Sequence, residues 1–144
     1  MSQVTYGGGT ADDPWLVETP TRSSTFSAWR DEAADPPALV IQVGTTRLSY
    51  RLRALDDLRQ MLVERGDWVP LGNADEGKPV KDGTVEAWAR DPSNPVGGYY
   101  GLRKGYRGRF ANYVTPVLKL LGWAELEHQP RNNRVRASTS SAGG

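Results

Sequence analysis

No cysteine occurs among the 144 residues, and there is one histidine, His128. The first absence excludes disulfides, thiolate zinc sites and cysteine nucleophiles, while leaving the compartment open. The second leaves His128 without a partner histidine or cysteine for a catalytic dyad. Long apolar runs are also missing. The longest, Ala38 to Ile41, is far short of the about 20 residues that span a bilayer. Met1 to Gly9 has neither a basic start nor an apolar stretch, so the expectation is no secretory signal, no membrane contact and a cytoplasmic setting. Hydrophobic residues make up only 38%, but five Trp and six Tyr compensate because each aromatic buries a large area. The expected place for Trp15, Trp29, Trp68, Trp88 and Trp123 is therefore the core, rather than the wall of a ligand pocket.

What is present is unevenly spread. Residues 1–100 carry ten Lys/Arg against fifteen Asp/Glu, and residues 101–144 carry eight against two, within a net charge of +1. A basic C-terminal third of this kind attracts nucleic acid or another polyanion. It also fits the acidic part of the same chain.

Periodicity divides the chain into one α+β domain over 14–137, between a Gly/Thr/Asp-rich lead-in at 1–13 and a small, polar, disordered tail at 138–144. A soft internal boundary is expected near 91–98. Ser27 to Ala34 reads as a short helix ended by Asp35-Pro36-Pro37. Ala38 to Val43 and the alternating Leu48, Tyr50 and Leu52 read as a β-hairpin about Gly44. Leu55, Leu58, Met61 and Leu62 place a helix over 54–65, with Asp56 and Asp57 at its start and Gly66 at its end. Trp68 to Leu71 and Thr84 to Arg90 read as short strands around a polar loop at 73–83. Phe110, Tyr113, Val114, Val117, Leu118 and Leu121 have helical spacing, interrupted at Pro116 by either a kink or a new start capped by Thr115. Ala124 to His128 and Arg134 to Ala137 then form a terminal hairpin.

Most chemical motifs fail on inspection. Gly98, Gly101, Gly105 and Gly108 lack the Gly-Lys-Ser/Thr or G-x-G-x-x-G setting of a nucleotide loop, so they read as turn or packing glycines. Glu76-Gly77-Lys78 matches the E-x-K fragment of metal-dependent nucleases, but on a loop where that motif needs a strand. Asp12, Asp13, Asp56, Asp57, Asp75, Asp82 and Glu86 offer hard-metal oxygens without a spacing that selects a metal. No serine has a G-x-S-x-G setting. His128 reads as a satisfied strand residue. No catalytic residue, metal or cofactor is assigned.

The segments Gly9-Thr10-Ala11-Asp12-Asp13-Pro14-Trp15, Asp35-Pro36-Pro37-Ala38-Leu39-Val40, Gly66-Asp67-Trp68-Val69 and Arg131-Asn132-Asn133-Arg134 are similar, in this order, to those of a group of small uncharacterised proteins from high-GC actinobacteria and their phages. The resemblance spans roughly residues 9–137. It implies a cytoplasmic, prokaryotic setting and carries no activity or site residue.

The expected function is a non-catalytic nucleic-acid-binding module, for DNA over RNA. In it, Arg103, Lys104, Arg107 and Arg109 meet phosphates, and Tyr100 or Tyr106 stacks or packs. Asn112 and Lys119 line the polar side of the last helix, and Arg131, Asn133 and Arg134 tip the terminal hairpin. Helix followed by basic hairpin is the order of a winged-helix reader. The alternative is a protein-interaction or assembly protein of phage origin, whose acidic and basic halves dock on partners or on each other.

Overall fold

Period-two burial builds the first layer. In the computed structural model, which describes residues 7–138, strands β1 (Trp15–Glu18), β2 (Thr25–Asp31), β3 (Ala38–Val43) and β4 (Thr46–Arg51) form an antiparallel meander in chain order. Trp15, Val17, Phe26, Ala28, Leu48 and Tyr50 alternate inward, and β3 is buried continuously along Ala38 to Ile41. A two-residue turn, Gly44-Thr45, joins β3 to β4 in the register Val43 to Thr46, and Gly44 supplies the positive φ such a turn needs. Expectations for residues 1–6 and for the tail after Ser138 lie outside the described residues. Within the lead-in, the amides of Gly8, Gly9 and Thr10 donate to the Asp13 carbonyl.

Two expected elements change type. The segment expected as a helix over Ser27 to Ala34 is instead β2. Phe26 and Ala28 bury at spacing two and not at helical spacing, and the strand is hydrogen-bonded on both sides. The segment expected as a strand over Thr84 to Arg90 is instead a one-turn helix, α2 (Val85–Trp88). Thr84 Oγ1 caps it by accepting from the Ala87 amide at 3.1 Å, which outweighs the β preference of Val85 and Trp88.

The remaining elements fall where periodicity puts them. Helix α1 (Ala54–Arg65) ends at Gly66 in the left-handed region. Helix α3 (Phe110–Leu120) runs through Pro116 as one element, with the Thr115 hydroxyl donating back to the Ala111 carbonyl at 2.6 Å instead of capping a second helix. Strand β5 (Val69–Pro70), β6 (Ala124–Leu126) and β7 (Arg134–Ala137) make a second antiparallel sheet in the order β5-β7-β6. The protein is α+β.

Helix α3 is the centre of the core and touches α1, α2, β1 and β6. Eight of its residues, Phe110, Ala111, Tyr113, Val114, Thr115, Pro116, Val117 and Leu118, are buried. The order expected for a winged-helix reader, a helix followed by a hairpin, is present: β6 and β7 follow α3 and pair with each other beside β5. The helix is packed on nearly every side, and β7 is the inner strand of the second sheet. One apolar cluster runs from Trp15 to Val135 across the segment expected as a boundary. The tryptophans also need a correction: Trp15 alone is fully buried. Trp29, Trp68 and Trp123 sit at the rim, each with an arginine guanidinium over its ring, and Trp88 stacks on Tyr100. A ring with one face on the core and the other under a cation is hydrophobic and cation–π partner at once.

The start of α3 has no capping side chain of its own, because the residue before it is Arg109 in the left-handed region. The missing acceptor comes from α2. The Glu86 carboxylate, 1% exposed, accepts from the amides of Phe110 at 3.1 Å and Ala111 at 2.9 Å and pairs with Arg90 at 3.3 Å. Burial pushes its pKa up, and the two amides and Arg90 pull the other way. Glu86→Ala strands Arg90 and leaves two helix amides without an acceptor, for an expected loss of about 3–5 kcal/mol in urea denaturation. Glu86→Gln keeps an acceptor oxygen and is expected to lose clearly less; equal losses would contradict the capping role.

Candidate nucleic-acid interface

The basic stretch at 99–109 is tied down from both ends. Its first part closes the free edge of β4: the Arg51 amide donates to the Tyr100 carbonyl at 2.9 Å, and the Leu102 amide to the Ser49 carbonyl at 2.8 Å. Its last part lies against the acidic loop 73–83. Gly108 is required there, since a Cβ at that position would come within 2.1 Å of the Glu76 backbone nitrogen. The Tyr50 hydroxyl, buried below, donates to the Gly108 carbonyl at 2.7 Å. Close backbone packing, not phosphate binding, accounts for this glycine.

The side chains then pair. One Glu76 oxygen accepts from the amides of Gly105 at 3.0 Å and Arg107 at 2.7 Å, and the other meets the Arg107 guanidinium at 2.8 Å. The Arg107 guanidinium side chain and these amides hold the Glu76 carboxyl far below its usual 4.5, at about 2. Arg109 pairs with Asp75, and its amide donates to the Ala74 carbonyl at 2.7 Å. Arg90 reaches the same loop from the turn after α2, donating to the Lys78 carbonyl at 3.0 Å. Tyr99 lies under both Arg90 and Arg107. The E-x-K fragment is thus a clamp: its carboxylate is spent on the 105–107 backbone and on Arg107.

The ten residues expected at the interface separate into three groups. Arg107, Arg109 and Arg134 are held in ion pairs, the last with Glu127 at 2.6 Å and over Trp68. Asn133 is buried and closes its own turn through the Gln129 amide and carbonyl, and Lys119 meets His128 at 2.6 Å. His128 Nδ1 faces the Pro20 carbonyl at 2.9 Å, which can only accept, so Nδ1 carries the proton and Nε2 accepts from Lys119. Burial lowers the pKa of both groups. Five residues remain open. Arg103, Lys104 and Tyr106 stand on the exposed 103–106 turn, with Arg103 stacked 4.2 Å from the Tyr106 ring centre. Asn112 and Arg131 line a groove of about 460 Å³ between the β1–β2 turn, the 73–83 loop and the β6–β7 turn.

Sequence reading missed the other half of this surface. Lys81 lines the same groove as Arg131, and Lys78 lies three residues before it. Among the described residues, neither lysine, nor Arg103, Lys104 or Arg131, is in an ion pair with a carboxylate. The two lysines were visible in the sequence but counted with the acidic part. Only the fold shows that Asp75 and Glu76 are spent and the lysines are not.

Two measurements check this seam. Glu76 is depressed on folding, so the stability it contributes is full above about 4.5 and is lost as pH falls through about 2. The Gly105 and Arg107 amide resonances are expected to titrate with a midpoint near 2 and to be flat in Glu76→Gln; a midpoint near 4.5 would mean the clamp is open. Gly108→Ala is expected to lower stability by about 1–3 kcal/mol through overpacking, and no loss would mean the two loops are not in backbone contact.

No curated protein and no solved structure matches the chain. The model of a family of unknown function, DUF6855, matches residues 7–138, the whole of the described chain, and the protein belongs to that family.

Proposed function

We propose that the protein is a non-catalytic nucleic-acid-binding module that meets phosphates through the cations its internal ion pairs leave over. The observation that carries this is the distribution of those cations. Of the eleven lysines and arginines with no carboxylate partner among the described residues, five, Lys78, Lys81, Arg103, Lys104 and Arg131, stand on three loops that meet along residues 73–83. Cations already paired with carboxylates gain little on meeting a phosphate, because one ion pair is exchanged for another. Unpaired ones release counterions from the nucleic acid and gain the full electrostatic benefit. Amides at Asn73, Asn112 and Asn132 in the groove add neutral donors and acceptors for sugar or phosphate oxygens. The cytoplasmic setting and the actinobacterial or phage origin implied by the resemblance belong to the same proposal.

A protein-interaction role is the second reading, and one feature favours it. Strand β1 is an edge of its sheet, and Leu16 on it is 57% exposed. An edge of this kind accepts another strand.

Fluorescence anisotropy of labelled DNA and RNA at several salt concentrations separates the two. Log affinity is expected to fall linearly with log salt, and Lys81→Ala with Arg131→Ala to flatten the duplex slope by about 0.9 per lost phosphate contact. Absence of binding at about 50 mM salt, together with concentration-dependent sedimentation, would replace the first reading with the second.

A further inference from the structure

A second concavity, of about 270 Å³, opens beside the same loops, between the β3–β4 hairpin, the 105–109 segment and α3. Its walls differ from those of the cationic groove. Val43, Leu48 and Tyr113 give it an apolar side, and the latter two belong to the buried core. Asp75 and Arg109 stand at its polar side, paired with each other but each about half exposed, at 50% and 49%. Tyr106 stands at the mouth, 39% exposed, a large aromatic that the protein leaves in water. Arg103 restrains its ring by stacking, and Lys104 follows on the same turn.

The chemistry of this pocket is that of a flat heterocycle. Its volume lies just under the about 300–1,000 Å³ of pockets for drug-sized ligands, which is room for one ring system. The apolar wall and Tyr106 suit a ring face. An exposed carboxylate beside a guanidinium offers an acceptor and donors side by side, which is what the hydrogen-bonding edge of a base requires. Cations on the adjoining turn suit the phosphates attached to it. In a duplex both base faces are covered by stacking, whereas a single strand presents such a ring without the cost of unpairing it.

We infer that the pocket lined by Tyr106, Tyr113, Asp75 and Arg109 takes one unstacked base of a single-stranded nucleic acid, whose flanking phosphates lie on Arg103 and Lys104. This rests on the nucleic-acid reading above and makes it narrower: the protein is a single-strand binder, with Tyr106 as the stacking platform.

The test compares fluorescein-labelled single-stranded dT, dC and dA oligomers, an RNA counterpart and a duplex of equal length. The wild type is set against Tyr106→Ala, Tyr106→Phe and the Lys81→Ala/Arg131→Ala double variant. Single strands are expected to bind at least about tenfold tighter than the duplex, since stacking adds to phosphate contacts. Tyr106→Ala is expected to weaken single-strand binding by roughly 5- to 150-fold, the range for one lost base stack, and Tyr106→Phe to retain it. The salt slope is expected to stay the same in Tyr106→Ala, because no phosphate contact is lost. Tyr106 is outside the buried core, and circular dichroism checks that each variant folds. Equal affinity for duplex and single strand, or unchanged single-strand binding in Tyr106→Ala while the lysine–arginine variant weakens it, overturns the base pocket and leaves the phosphate-binding reading standing. No binding to any oligomer overturns both.

Discussion

Everything around the candidate interface hangs on one buried ion pair. Glu86 on α2 and Arg90 in the turn just after it lie four residues apart, and each faces a different part of the chain. The carboxylate terminates the unsatisfied amides at the start of α3, the helix on which the core is packed. The guanidinium holds the carbonyls of residues 74, 75 and 78, which fixes the loop that Asp75 and Glu76 occupy. A charge of either sign left alone in this place would cost several kcal/mol, so the pair is useful less for its own attraction than because neither half can be removed. Helix, acidic loop and basic loop are positioned from this single point.

Charge asymmetry along the sequence therefore reads differently in space. The basic third was drawn to the acidic part of its own chain, and the pairs Arg107–Glu76 and Arg109–Asp75 are the places where the two meet. Exposed pairs of this kind contribute about 0–1 kcal/mol each, and the half-exposed Arg109–Asp75 belongs with them. Glu76 is a different case because two backbone amides converge on one of its oxygens. That geometry sets the path of a loop, which a surface ion pair alone does not do. The net effect is to neutralise the strongest basic run of the sequence and to leave a smaller, more scattered set of cations facing solvent.

How much of this was legible in the sequence depended on periodicity. The β3–β4 hairpin, α1, α3 and the β6–β7 pair all have apolar residues at a clear spacing, and each lies where that spacing puts it. Strand β2 and helix α2 do not. Thr25 to Asp31 holds a charged end and a small alanine at a core position, and α2 is one turn long, so its capping threonine carries more information than its hydrophobic pattern. The interface was half legible. Cations and aromatics at 99–109 stand out in any reading, but their partners are about 30 residues earlier in a loop with no period at all. A lysine in that loop and an arginine on the terminal hairpin line one groove only because both loops return to the same end of α3.

The backbone contact at Gly108 has a consequence for how such a chain can change over generations. Two loops that touch through their main chains, and that are cross-linked by Arg107–Glu76 and Arg109–Asp75, cannot drift separately. A substitution on one side leaves an unmatched charge or a clash on the other, whereas an exchange of acid and base across the seam keeps the pair. Positions 75–76 and 107–109 therefore constrain one another, whereas the side chains at 103, 104, 131 and 132 stand outside the ion pairs of the seam and can change without breaking it.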